Sequence, residues 1–151
     1  MENNKSGIDL RLFRVGLKAS NTILGNIYDD IESYKLNREH FMLLELLYSK
    51  GPHPVQRISE ILEIPSGSIT YVVDRLSKKG LVKRRLNKID KRVNEVILTS
   101  EGKQFFDEIF PSHVETISKN LSILTDNEKH QLTELLKKVG LDALKFKKKK
   151  K

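Results

Sequence analysis

The chain has 151 residues, of which 38% are hydrophobic and 32% charged, with a formal charge of +8 at neutral pH. That length fits one domain, or one domain with helices attached, and the modest apolar content implies a small core or apolar surface shared with a second subunit. The absence of cysteine excludes disulfides, thiolate metal sites and a cysteine redox switch.

The opening MENNKSGIDL lacks the apolar centre of a signal peptide, and no apolar run approaches the roughly 20 residues that span a bilayer. A soluble cytoplasmic protein without membrane association is expected. The charge is unevenly spread. Six lysines lie between Lys145 and Lys151, leaving +2 for the rest of the chain. The segment from Lys83 to Arg92 instead holds Lys83, Arg84, Arg85, Lys88, Lys91 and Arg92 against Asp90 alone, a local +5.

In chain order, Leu10, Phe13, Leu17, Leu24, Ile27 and Ile31 recur at helical spacing, which predicts a long amphipathic first helix. LNREHFMLLELLYSKGP reads as a second helix capped by Asn37 and stopped by SKGP. A short third helix around VQRISEILEI has Ile58, Ile61 and Leu62 as its stripe, and IPSGS breaks it, since proline disfavours helix before it and glycine and serine suit a tight turn. In the fourth helix Ile69, Val72, Val73 and Leu76 face inward while Ser68, Tyr71, Arg75 and Lys78 face out. Either Ser66 or Ser68 can cap it, and SKKG ends it with cations followed by glycine. LVKRRL and VNEVILT alternate and flank NKIDKR, predicting a hairpin. Thr99 can cap a long helix with Phe106, Phe110, Ile117, Leu121 and Leu124 on its inner side, kinked or broken at Pro111. A last helix starts at Thr125 or Asp126, with Leu132, Leu135, Leu136 and Val139 as its stripe and Gly140 loosening its end. The fold expected is mainly α with a small β-hairpin wing: a winged helix-turn-helix flanked by long helices.

No catalytic constellation is present. His40, His53, His113 and His130 have no metal-ligand spacing among themselves or with acids, and there is no glycine-rich phosphate loop, nucleophile elbow or isolated carboxylate pair. No enzyme, metal or cofactor is expected. DNA is the partner the residues favour. A helix fits the major groove, where Ser66, Ser68 and Thr70 are suited to base edges or phosphates, Tyr71 to a hydroxyl bond or a thymine methyl and Arg75 to a phosphate or guanine, with Lys78 beyond them. A solvated face would look the same for this helix alone. Six cations in ten residues, however, repel one another in a purely structural turn, and a phosphate or minor-groove target explains them, with Arg84, Lys91 and Arg92 as contacts.

VVDRLSKKGLVKR followed by IDKRVNEVILTSEG places Asp74-Arg75-Leu76, Gly80-Leu81-Val82, Asp90-x-Arg92 and Leu98-Thr99 at ungapped spacing, and over nearly its whole length the chain resembles the MarR family of bacterial regulators. The resemblance implies a single domain over 1–151, with a DNA-binding lobe at about 37–98, dimerisation helices at about 8–34 and 99–144, and a basic tail at 145–151. It implies a homodimer on a pseudo-palindromic operator, with the fourth helix in the major groove, Arg92 in the minor groove and Asp90 orienting Arg92. SGSITYVVDRL and IFPSH further resemble the quinone- and hydroquinone-responsive subgroup, which controls detoxification and aromatic-compound genes. Without cysteine, a phenolic or quinone-like effector must bind reversibly. Phe13, Tyr48, Phe110 and His113 are candidates to line its cleft; alternatively the aromatics are core and His113 lies at the surface or an interface.

Two rival functions are a winged helix serving protein contacts alone and a sequence-independent DNA-coating protein. The lysine tail reads as a solvated end, a further DNA contact or an appended sequence.

Overall fold

A computed structural model describes residues 2–148, with side chains from Ser6 onward. These form two compact units, up to residue 116 and from residue 117.

The first unit begins with α1, Glu2–Ser33. Only its C-terminal end enters the core, through buried Ile31 and half-buried Ile27. Leu10, Phe13, Leu17 and Leu24 of the expected stripe are exposed. α2, Arg38–Lys50, starts where the Asn37 side chain accepts from the His40 amide (2.8 Å), as its sequence predicts. Its buried Phe41, Leu43, Leu44, Leu46 and Leu47 form the centre of the core.

α3, Val55–Leu62, and α4, Ser66–Lys78, make the helix-turn-helix. Val55, Ile58 and Leu62 carry the inner side of α3, whereas Ile61, expected there, is exposed. The turn is tighter than IPSGS suggests. Glu63 takes the left-handed conformation (φ 55°), the Ser59 hydroxyl donates to the Ile64 carbonyl (2.6 Å), and Pro65 occupies the N-cap. Neither Ser66 nor Ser68 caps α4, because both already lie within its first turn, where proline's fixed φ starts the helix directly. Ile69, Val72, Val73 and Leu76 are fully buried, as the pattern predicts. Gly80 (φ 76°) terminates α4, with the Leu81 amide reaching back to the Leu76 carbonyl (3.0 Å).

β1, Val82–Leu86, and β2, Asn94–Leu98, pair antiparallel with Arg84 opposite Val96 and Arg85 opposite Glu95. His53 bridges the free edge of β2 through two main-chain bonds with Val96 (2.8 and 3.2 Å). The sheet then turns into α5, Ser100–Asn120, at a corner held by Thr99. Its hydroxyl donates to the Gly80 carbonyl (2.6 Å) and accepts from the Gly102 amide (2.9 Å). A Cβ at Gly102 would overlap the Leu81 carbonyl oxygen.

α5 runs unbroken through Pro111, so of the kink or break expected there no break occurs. Contacts on both sides hold it: Phe106 is buried before the proline, and His113 and Thr116 bond Asp30 after it. In the second unit α5 ends at Asn120, so Leu121 and Leu124 belong to a turn and not to the helix. α6, Asp126–Ala143, opens on a capping box between Thr125 and Glu128, passes through Gly140 and leads to a short 3-10 turn at Leu144–Phe146. Leu132, Leu135, Leu136 and Val139 form a stripe, but an exposed one. In the basic tail Lys145 pairs with Asp142 (3.0 Å), while Lys149–Lys151 lie outside the described residues. No helix among the described residues is long and apolar enough to cross a membrane.

Candidate nucleic-acid interface

Burial of one face of α4 leaves Ser66, Thr70, Tyr71, Arg75 and Lys78 exposed and Ser68 half-buried. The polar face is organised internally. Arg75 Nε donates to the Tyr71 hydroxyl (2.8 Å) and its guanidinium lies 5.1 Å from the ring centroid, so these residues act as one unit. Thr70 donates to the Ser66 carbonyl (3.0 Å), leaving its oxygen lone pairs for an incoming donor.

The wing cations divide into held and unheld. Arg84 donates to Asp74 (2.8 Å), tying β1 to the exposed side of α4. Arg85 donates to the buried carboxylate of Glu95 (3.0 Å), which also accepts from Asn87 (3.0 Å); these two bonds hold Glu95 below the usual carboxylate range. Lys83, Lys88 and Lys91 have no ion pair among the described residues, which leaves an exposed positive surface beside α4.

At the wing tip Arg92 bonds Asp90 three ways: Nε to Oδ1 (3.0 Å), Nη2 to Oδ2 (3.3 Å) and main-chain N to Oδ1 (3.1 Å). These bonds, led by the side-chain pair, depress the Asp90 pKa, so the carboxylate stays charged and paired with Arg92 while the arginine side chain is 90% exposed. Pattern reading missed Asn87, whose side chain organises the loop before Asp90. An asparagine two residues ahead of a turn is the local signal for such a role.

The proposed ligand-lining residues separate. Tyr48 and Phe110 meet (ring centroids 5.2 Å), both pack on Phe106, and Tyr48 donates to Asp107 (2.6 Å). Phe13 is exposed on α1, and no ring contact joins it to them. His113 is buried, not at the surface: its ring packs on Phe41 (4.5 Å) and Nδ1–H donates to Asp30 (2.9 Å). Asp30 also accepts from Tyr34 (2.8 Å) and Thr116 (2.9 Å), and burial together with this bond pushes the Tyr34 hydroxyl up to about 12. Asp30 carried no sequence signal, because its partners lie up to 86 residues away. A separate cleft of about 610 Å³ opens beside Tyr48, between the end of α2, β2 and the start of α5, with Arg85 and Lys103 among its lining side chains. No metal-binding cluster occurs among the described residues.

A helix-turn-helix whose second helix is buried on one side and polar on the other, followed by a cationic hairpin, defines a winged helix-turn-helix DNA-binding module. The MarR family model matches residues 36–93. The HTH-type transcriptional regulator MhqR of Bacillus subtilis (strain 168) is 40% identical over 137 residues, covering 91% of this chain and 94% of the relative. This chain therefore belongs to the MarR family and is a DNA-binding transcriptional regulator, not an enzyme. Among solved structures, the MarR family regulator Sco3205 from Streptomyces coelicolor, in complex with DNA, aligns at TM-score 0.77 and 21% identity over 89% of this chain and 86% of that one. NadR in complex with 4-hydroxyphenylacetate aligns at 0.71 and 23% over 84% and 91%.

Proposed function

We propose that the protein is a homodimeric, ligand-responsive repressor that occupies a pseudo-palindromic operator and governs detoxification or aromatic-compound genes in the cytoplasm. Residues 37–98 act as the DNA-binding lobe, 8–34 and 99–144 as dimerisation helices and 145–151 as a basic tail. α4 enters the major groove with Ser66, Ser68, Thr70 and Tyr71 toward the bases and Arg75 and Lys78 toward phosphates. Arg92, oriented by Asp90, enters the minor groove, with Arg84 and Lys91 along the backbone. Two-fold symmetry then spaces the half-sites by about one helical turn.

The observation that supports this best is the Asp74–Arg84 bridge, which links the polar face of α4 to the cationic wing so that both can follow one duplex. The exposed apolar residues along α1 and along α6 support a dimer, since faces of that kind mark protein contacts. The effector belongs to the phenol, hydroquinone and quinone class suggested by SGSITYVVDRL and IFPSH; of its candidate contacts Tyr48 and Phe110 lie together, whereas Phe13 and His113 lie apart from them. No thiol is available for covalent capture, so release from DNA is reversible.

Sequencing of genomic fragments bound by the purified protein, followed by titration of a recovered fragment against random DNA, tests the core of this proposal. A repressor discriminates by a factor on the order of a thousand or more; equal affinity for both would instead fit a coating protein. Adding a hydroquinone should release the DNA, dialysis should restore the complex, and the protein mass should stay constant throughout.

A further inference from the structure

The loop joining the wing strands is closed by its own main chain. Asn87 N donates to the Val93 carbonyl (2.8 Å), and Val93 N donates to the Asp90 carbonyl (3.0 Å). The Asn87 side chain accepts from the amides of both Ile89 and Asp90 (2.9 Å each). Between those two amides this network presents Ile89, 97% exposed, with Leu86 also exposed at the end of β1. Loop tips favour glycine, asparagine, aspartate or serine, and solvent alone would not favour a β-branched apolar side chain here. Its neighbours are Lys88, Lys91 and the Asp90-held Arg92. An apolar group on an ordered loop within a cationic rim matches a surface with apolar walls beneath flanking phosphates. The minor groove of DNA has that character, with sugar C–H edges between two phosphate rows, and proteins that bind it use apolar side chains as wedges.

We propose that Ile89 is a specificity-determining DNA contact, which packs against the sugar walls of the minor groove beside Arg92 and disfavours G·C pairs there. The inference rests on the wing entering that groove. The guanine 2-amino group is the one donor on the groove floor that distinguishes G·C from A·T, and an isoleucine offers it no acceptor. Fixed χ1 in a β-branched side chain limits the entropy lost on docking. Because Ile89 carries no charge it releases no counterion, so its effect on affinity is independent of salt, unlike that of Arg92.

The test uses the full chain and a fragment recovered by genomic selection. The pairs facing the wing are located by footprinting and set in turn to A·T, inosine·cytosine and G·C. Inosine·cytosine lacks the 2-amino group while keeping the major-groove face close to that of G·C. Wild type should bind the first two alike and G·C more weakly. Ile89→Ser should bind roughly tenfold more weakly than wild type on A·T, lose the discrimination against G·C and keep the wild-type salt slope, while Ile89→Val should retain most of both properties. If Ile89→Ser matches wild type while Arg92→Ala binds weakly, the role of Ile89 is overturned and the wing reading stands. If neither variant has an effect, the wing does not enter the groove. A flattened salt slope for Ile89→Ser would mean displaced cations and also overturns the proposal.

Discussion

α4 and the wing, the two parts proposed to face DNA, are held in place by different physics. α4 is positioned mainly by burial: Ile69, Val72, Val73 and Leu76 are sealed in the core, and of its exposed residues Asp74 adds the bridge to Arg84 of β1. The wing tip is positioned by directional polar bonds, with Asn87, Asp90 and Arg92 linked to one another and Glu95 anchoring Arg85 and Asn87 behind them. Proposed contact and scaffold are therefore separate residues on α4, apart from Asp74, and overlapping ones on the wing. Substitution of an exposed α4 residue other than Asp74 should alter DNA binding alone, whereas substitution at the wing tip should alter both the contact and the geometry that presents it.

The largest effect should come from the buried side. Leu76→Ala should destabilise the fold by about 2–5 kcal/mol through the cavity it leaves, read as a fall in the thermal midpoint. Asn87→Ala, by contrast, should leave that midpoint within the range of surface substitutions while weakening DNA binding. Equal losses of stability would erase the distinction between the two regions.

Next comes Arg92→Ala, expected to weaken operator binding roughly tenfold to thirtyfold with an unchanged midpoint. Asp90→Asn should do the same more mildly, because in the proposed complex Asp90 acts through its bonds to Arg92. An arginine variant that binds normally at fixed salt would exclude the wing from the interface.

Acidification should separate the regions without mutation. Burial, reinforced by Lys79 and Arg75 and opposed by Glu39, lowers the pKa of His40. The unfolded chain then takes a proton near pH 6.5 that the folded chain refuses, so stability is full above that value and falls as pH drops below it, by at most about 1.4 kcal/mol per pH unit. Asp90 acts with the same sign but in a lower pH window. Its folded pKa is depressed, so its support is present above about pH 4 and is lost only as pH falls through a still lower value. Denaturant midpoints at pH 7.5 and 5.5 should differ for wild type and converge for His40→Gln; a pH dependence that survives the substitution would assign it to other groups.

The smallest effect is the coupling of Tyr71 and Arg75. Arg75→Ala should reduce affinity on all sequences and lower the salt slope by about one unit, while Tyr71→Ala should mainly blur discrimination between operators. Because Arg75 donates to the Tyr71 hydroxyl, a double-mutant cycle with Tyr71→Phe should return a coupling of about 0.5 kcal/mol or more. Strict additivity would show that the bond is absent in the complex.

By itself the sequence determined much of what depends on near neighbours, although the turn chemistry at Asn87 and the Pro65 start of α4 escaped it. Periodicity located the helices and the inner face of α4, Asn37 was legible as a cap and Thr125 as one of two candidates, and the family resemblance implied the pairing of Asp90 with Arg92. Tertiary structure decided the relations that cross the chain. The partner of Arg84 on α4, the His53 bridge to β2, the burial of His113 on Asp30 and the close approach that requires glycine at position 102 all join segments whose separation carries no periodic signal. It also decided where apparent breaks were harmless: Pro111 stays helical because side chains on both sides of it are anchored, and Pro65 starts a helix that Gly67 and Ser68 continue. The same spacing rule produced one stripe on α4 and another on α6, yet the first is buried and the second exposed. An amphipathic pattern specifies which side of a helix is apolar, and only the packing of distant segments specifies what covers it.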